Sequence, residues 1–238
     1  RPGRCLGICT CDTPNSTVTT MEYREPLVWA DSPCTTFRYC ELAAEQKTPV
    51  HNGWQTNTKS FDEVWNAHQA NRSNIGLVLG NTSGVMDIDC DSVEAVALMH
   101  HLADGYLGHF KRSHDSAHYL FLCEGGGKTV RLAHPDGGVI VELRGDGSQT
   151  MVPPSTHPDG QQLSIKGWYP DASHHHYDSL FQLVYRVGAL ALLMRGWHVG
   201  SRHQLSLSFA GLCQSLGISY DDAYEIVQLL CHVTHDDE

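Results

Sequence analysis

No stretch of this chain approaches the roughly 18 consecutive apolar residues that cross a bilayer. The longest, VGALALLM, contains Gly188 and lies between Arg186 and Arg195, so a membrane partner is not expected. No secretory signal pattern is visible either, and the expected location is the cytoplasm. Positive charge is scarce: 16 Lys and Arg stand against 27 Asp and Glu, a net charge of −11. That excludes broad, passive binding to nucleic acid, which needs a basic face. It leaves open an enzyme whose acids carry metal ions and whose basic groups are local. A disulfide framework is also lacking, because the nine cysteines are odd in number and Cys90, Cys123, Cys213 and Cys231 lie singly among apolar residues, as reduced thiols do. CLGICTC groups Cys5, Cys9 and Cys11, which could join Cys34, Cys40 or a histidine around zinc. The spacing matches none of the strong zinc patterns. Residues 1–20 have no periodicity and read as a flexible leader.

What remains is ordinary globular material, 238 residues with 41% hydrophobic content. SFDEVWNAHQA predicts a short helix with Ser60 as N-cap and Glu63 as its capping-box partner. NIGLVLG and GVMDIDC predict two buried strands joined as a hairpin by NTSG. DSVEAVALMHHL predicts a helix, with Asp91 as N-cap and Glu94 closing the box. SAHYLFLC, GGVIVELRG and QTMVPPS predict further strands. This mixture indicates an α+β fold, with a mixed or antiparallel sheet and helices on one face. From Leu180 the pattern turns helical over three segments. Gly217 is the expected stop of the second, and Ser219 with Asp222 caps the third.

Asp87 and Asp89 sit one residue apart at the end of an apolar run. At a strand's period of two they share a face and repel each other. Alone, the pair fits either a solvated strand end or a cation site. Three other stretches bear on the choice. SAHYLF places Ser116 and His118 on one side of a strand. VIVELRG ends an apolar strand with Glu142 and Arg144 on one face. VPPSTHPDG is a proline turn that presents Ser155 and His157. Each has an ordinary structural reading by itself. Together they bring three carboxylates, two histidines, two hydroxyls and a guanidinium to strand ends and adjoining turns.

In this order the motifs DID, SAH and an acid followed by RGDG and VPPSTHPDG resemble the primase–polymerase (prim-pol) domain of the archaeo-eukaryotic primase superfamily, found in plasmid and phage replication proteins. TPVHNGWQ and NIGLVLGNTSGVMDIDCD upstream, and GSRHQLSLSFAGLCQSLGISYDDA downstream, are similar too, so the resemblance covers roughly residues 25–235. Glu142 departs from the family, where Asp is commoner at the third acid. The resemblance implies an RRM-like catalytic core over residues 21–178 and a helical subdomain over 179–238. The latter would link to a helicase domain of a longer protein. It also implies DNA primase and DNA polymerase activity on dNTPs or NTPs with single-stranded template and primer. Asp87, Asp89 and Glu142 would hold two Mg²⁺ or Mn²⁺ ions roughly 3.5–4 Å apart. His118, Ser116, Arg144, Ser155 and His157 would contact the nucleotide, with His118 counted among the catalytic groups, and Lys111 and Arg112 are candidates for template phosphates. Two other readings remain open. SHHHYDSL could belong to a rolling-circle HUH endonuclease in which Tyr177 attacks DNA and two of His174, His175 and His176 hold a metal, although they fall in what reads as a polar loop. A nucleotide- or DNA-binding module without catalysis is the other.

Overall fold

A computed structural model describes residues 36–113 and 115–235. The expected leader with Cys5, Cys9 and Cys11, and also Cys34, lie outside the described residues. The elements run β1 (Tyr39–Leu42), α1 (Phe61–Asn71), β2 (Asn74–Val78), β3 (Val85–Cys90), α2 (Val93–Leu102), β4 (Gly108–Ser113), β5 (Ser116–Glu124), β6 (Val130–Ala133), β7 (Val139–Arg144), β8 (Gln149–Val152), β9 (Ser164–Trp168), β10 (His174–His176), α3 (Tyr177–Gly196), α4 (Arg202–Leu216) and α5 (Tyr220–Thr234). The fold is α+β. A small antiparallel sheet has the order β1-β2-β8, and a larger one the order β6-β7-β3-β5-β4-β9, with β10 added parallel to the end of β5.

The period of two in β3 sorts the molecule into layers. Met86, Ile88 and Cys90 enter a core with Tyr119, Phe121, Val141, Leu143 and the apolar faces of α2 and α3. Val85, from the opposite face, joins Leu120 and Phe110 in a second core beneath β1, β2 and α1. Asp87 and Asp89 share that opposite face, further along the strand.

Local signals set several boundaries. Ser60 and Glu63 form the reciprocal capping box of α1. Gly217 ends α4 in the left-handed region at φ 69°, and the Ser219 hydroxyl accepts from Asp222 N at the start of α5.

Three expectations are corrected. Beyond a single antiparallel bridge between Gly80 and Val85 at the turn, β2 and β3 do not pair as a hairpin. Each is buried along its length and flanked on both edges, β2 by β1 and β8, β3 by β5 and β7, so NTSG carries the chain from one sheet to the other. The N-cap of α2 is Ser92, whose hydroxyl accepts from Ala95 N at 3.1 Å. Asp91 donates its backbone N–H to Ile140 O, its side chain stays exposed, and Glu94 accepts from Arg195 Nε at 2.9 Å. Finally, His174–His176 is a strand. β4 pairs with β5 only as far as Leu120, which leaves the edge at Leu122–Glu124 for β10.

α3 packs as part of the larger sheet's own core. Leu180, Val184, Val187 and Leu190 are each 3% exposed or less, and Leu132 of β6 closes on Gly188, where a Cβ would come within 2.5 Å of its Cδ1. A cut near residue 178 would therefore open this core. Leu190→Ala is expected to cost about 2–5 kcal/mol, the range for truncating a buried leucine that leaves a cavity. Chemical denaturation of the full chain would show it as a lower midpoint at unchanged slope.

Candidate metal and nucleotide site

Register across three strands assembles the site. Asp89 on β3 lies directly opposite His118 on β5 and Glu142 on β7, while Asp87, two residues back, lies opposite Leu120 and Arg144. Directly opposed residues on one face have Cβ atoms about 4.5–5.5 Å apart. The hydrogen-bond ladder therefore brings the three acids together although 55 residues separate Asp87 from Glu142 in sequence. Asp89 and Glu142 line a cleft of about 340 Å³ together with Ser116, His118, Arg144 and His157, and Asp87 is fully buried behind them.

The charges interlock. His118 Nδ1 is 2.9 Å from Asp87 Oδ2, and its Nε2 is 3.5 Å from Asp89 Oδ1. The Arg144 guanidinium lies 3.7 Å from Asp89, 3.9 Å from Glu142 and 4.0 Å from Asp87. The His118 ring is held flat by Phe110, stacked at 4.7 Å and 13°, while Thr150 Oγ1 reaches Nδ1 at 3.4 Å. Burial pushes the Asp89 carboxyl up to about 6; Asp87 and Asp91 push the same way, against the opposing pull of His118 and Arg144. Burial works against a charge on His118, yet the carboxylates of Asp89 and Asp87 hold its imidazole above the usual histidine range. Two acids in a confined space thus compete for too little positive charge.

The donor set fits a divalent cation. Ligand atoms from Asp87, Asp89 and His118 all lie within 4.8 Å of one another. Asp87 Oδ1 is buried with no hydrogen-bond partner, an orphaned carboxylate oxygen of the kind a hard cation would complete. Glu142 faces Asp89 from the next strand, its Oε1 3.2 Å from Arg131 NH2.

Ser116 and His157 line the cleft as expected. Ser155 does not. It is fully buried, and its hydroxyl accepts from Ile75 N at 2.8 Å, so it fastens the turn after β8 to β2 and does not reach a nucleotide. The structure adds residues to the cleft that the motifs missed. Arg131 sits opposite Glu142 in register on β6, a strand of modest alternation in the sequence. Asp91 continues the alternation of Asp87 and Asp89, a signal hidden by its plausibility as a helix cap. Lys47 belongs to a turn with no distinguishing pattern; its carbonyl accepts from Gln149 Nε2 at 3.1 Å.

The HUH reading fares differently. The Tyr177 hydroxyl donates to Lys128 O at 3.2 Å, and its ring lies against Gly127, where a Cβ would come within 2.0 Å. Burial, with Asp178 beside it, raises its phenol, which weakens it as a nucleophile. His174 and His176 point away from the central His175, because the three alternate along β10.

Acids that could hold a metal ion, beside a cleft with Arg and Lys at its rim, are what the fold and the site present together. The Prim-Pol family profile, describing the N-terminal domain of bifunctional DNA primase/polymerases, matches residues 27–172, more than half of the chain, and the chain belongs to this family. A search among curated proteins returns no match. No helix among the described residues is long and apolar enough to cross a membrane.

Proposed function

We propose that this chain is a template-directed nucleotidyltransferase, a DNA primase and DNA polymerase that joins dNTPs or NTPs to a growing strand in plasmid or phage replication. The observation that carries the reading is Asp89 flanked in register by His118 and Glu142, beside the orphaned oxygen of Asp87, at a cleft that Lys47, Arg131 and Arg144 also line. Asp87, Asp89 and Glu142 would hold two Mg²⁺ or Mn²⁺ ions, with His118 within reach as a further ligand. Bound there, such ions make a primer 3′-hydroxyl more acidic and neutralise charge developing at the α-phosphate. The chain's own residues do the remaining work. Arg144, His157 and Lys47 meet the triphosphate with positive charge and donors, which the net charge of −11 does not otherwise supply. Ser116 adds a hydroxyl at the same mouth. Phe110 and Thr150 keep the His118 ring from rotating as charge enters the cleft. Template and primer would be held mostly through phosphates, and a helicase domain of a longer protein is the expected partner.

Primer extension with labelled dNTPs and Mn²⁺ or Mg²⁺, run beside synthesis on unprimed single-stranded DNA, tests the proposal. Incorporation that follows the template is expected. Nucleotide binding without incorporation under either metal would favour a binding module instead. Tyr177→Phe is expected to leave incorporation within about twofold of the parent, less than the tenfold that 1.36 kcal/mol of transition-state stabilisation represents. DNA cleavage with covalent attachment through Tyr177, lost in that variant, would favour the endonuclease.

A further inference from the structure

Apart from the cationic groups of the cleft, positive charge also meets at one margin of the larger sheet, on the face away from the cleft. On β4, Phe110 turns to the cleft face and stacks on His118, so its neighbours His109 and Lys111 point the other way, opposite Tyr119 and Ala117 of β5. A bulge between β4 and β9 falls between His109 and Phe110 and places Lys166 beside them. Lys166 is exposed and Lys111 half-buried, and neither forms an ion pair among the described residues. The nearby Asp104 turns its carboxylate to Gly105 N at 2.8 Å. Burial lowers the His109 imidazole, and the charges of Lys111, His100 and Lys166 lower it further, so these groups act on one point.

Aromatic rings floor the same margin. Tyr106 meets His109, Tyr119 and Tyr169 edge to face at 5.6, 5.3 and 5.2 Å, and His109 stacks on Tyr119 at 11°. Tyr169 remains 47% exposed. A glycine lets a ring lie close over the strand: a Cβ on Gly167 would come within 2.7 Å of the Tyr169 hydroxyl. The rings are therefore held in place before any ligand arrives.

Unpaired lysines beside fixed, partly exposed aromatic rings suit a single strand of nucleic acid, whose phosphates take the lysines and whose bases have faces for the rings. Protein interfaces are depleted in lysine, which argues against a protein occupant. The margin also lies at the same end of β5 as the cleft: Lys111 pairs with Ala117, between Ser116 and His118 of the cleft lining. We propose that this margin, through Lys111, Lys166, Tyr106 and Tyr169, binds single-stranded DNA and leads it around the end of β5 toward the cleft. The leading of template rests on the polymerase reading; the binding does not.

The test is fluorescence anisotropy of a labelled oligo(dT) with the full chain, in EDTA and without nucleotide. Lys111→Glu combined with Lys166→Glu is expected to weaken binding at least tenfold. With about 0.7 per phosphate contact on a single strand, the slope of log affinity against log salt should fall by about 1.4. Tyr169→Ala should weaken binding severalfold at unchanged slope, because stacking releases no counterions. Binding of a labelled dNTP with Mn²⁺ should be unaffected by these changes. Hydrogen exchange on the unmutated chain should show oligonucleotide protection over residues 104–111 and 164–169, which decides the matter if the double variant does not fold. Oligonucleotide affinity within twofold of the parent in a folded double variant, or protection confined to β3, β5 and β7, would overturn the proposal. Such a result beside intact primer extension would leave the cleft assignment standing, whereas binding at the margin without incorporation would leave the margin and remove the polymerase.

Discussion

Asp89→Asn is expected to lower nucleotide incorporation by at least about a hundredfold, since even residues that merely orient metal ligands are typically worth 10–100-fold. Asp87→Ala should do the same. Neither should unfold the protein. Asp87 is completely buried with one oxygen unpartnered, and beside it Asp89 shares the cleft with Glu142 and Asp91, so without a metal the site holds more negative charge than His118 and Arg144 offset. Removing one acid relieves that repulsion, and His118, which contacts both Asp87 and Asp89, keeps the other as its partner. The metal-free variants should therefore melt at or above the parent temperature. The parent should gain thermal stability on adding Mn²⁺, because a ligand that binds only the folded state stabilises it, and the variants should gain little. This second readout does not depend on activity. Near-normal primer extension by either variant, or an undiminished Mn²⁺ shift, would show that these acids are not the ligands.

How much of this was legible in the sequence depended on whether a pattern was local. Alternation along GVMDIDC put Asp87 and Asp89 on one face, and β3 follows it. Ser60 with Glu63, Gly217, and Ser219 with Asp222 are caps whose chemistry is complete within four residues, and all three stand. Strand pairing is not local. The turn NTSG looks the same whether its strands pair with each other or depart to separate sheets. Only the demand of two fully buried strands for neighbours on both edges decides between these outcomes. The same limit hid β10, whose three histidines read as a loop until the length of β5 left an edge for them.

Site residues divide the same way. Asp87, Asp89, His118, Glu142 and Arg144 lie on strands with strong alternation, and their facing could be read residue by residue. That they meet follows from register, which the sequence of any one strand does not carry. Ser155 and Asp91 were exchanged in their expected roles for one reason: a short polar side chain beside a turn serves a cap, a backbone clasp or a ligand equally well. Ser155 clasps Ile75, and Asp91, relieved of capping by Ser92, faces the cleft.

His118 separates a structural role from a chemical one most sharply. Its imidazole lies between Asp87 and Asp89, and the 2.9 Å contact with fully buried Asp87 means that His118→Ala strips a buried carboxylate of its nearest partner. Losing one member of a buried pair costs about 3–5 kcal/mol, and Arg144, at 4.0 Å from Asp87, should recover part of it. The metal-free variant is therefore expected to melt lower than the parent, and Mn²⁺, by meeting the same carboxylates, should restore much of the difference. Incorporation is a different matter. If His118 serves only as a stand-in for the cation, the metal-loaded variant should extend primers at the parent rate per folded molecule. The geometry argues for more than that: His118 lines the cleft beside Ser116, and stacking on Phe110 and the contact with Thr150 fix its ring, which a mobile counter-charge would not need. Saturated with Mn²⁺, His118→Ala should still lose at least about tenfold in kcat/KM for the nucleotide, about 1.4 kcal/mol of transition-state stabilisation. Affinity for primer–template should stay unchanged. A variant whose stability and kcat/KM both return to parent values on adding Mn²⁺ would remove His118 from the nucleotide site and leave it as the partner of the acids alone.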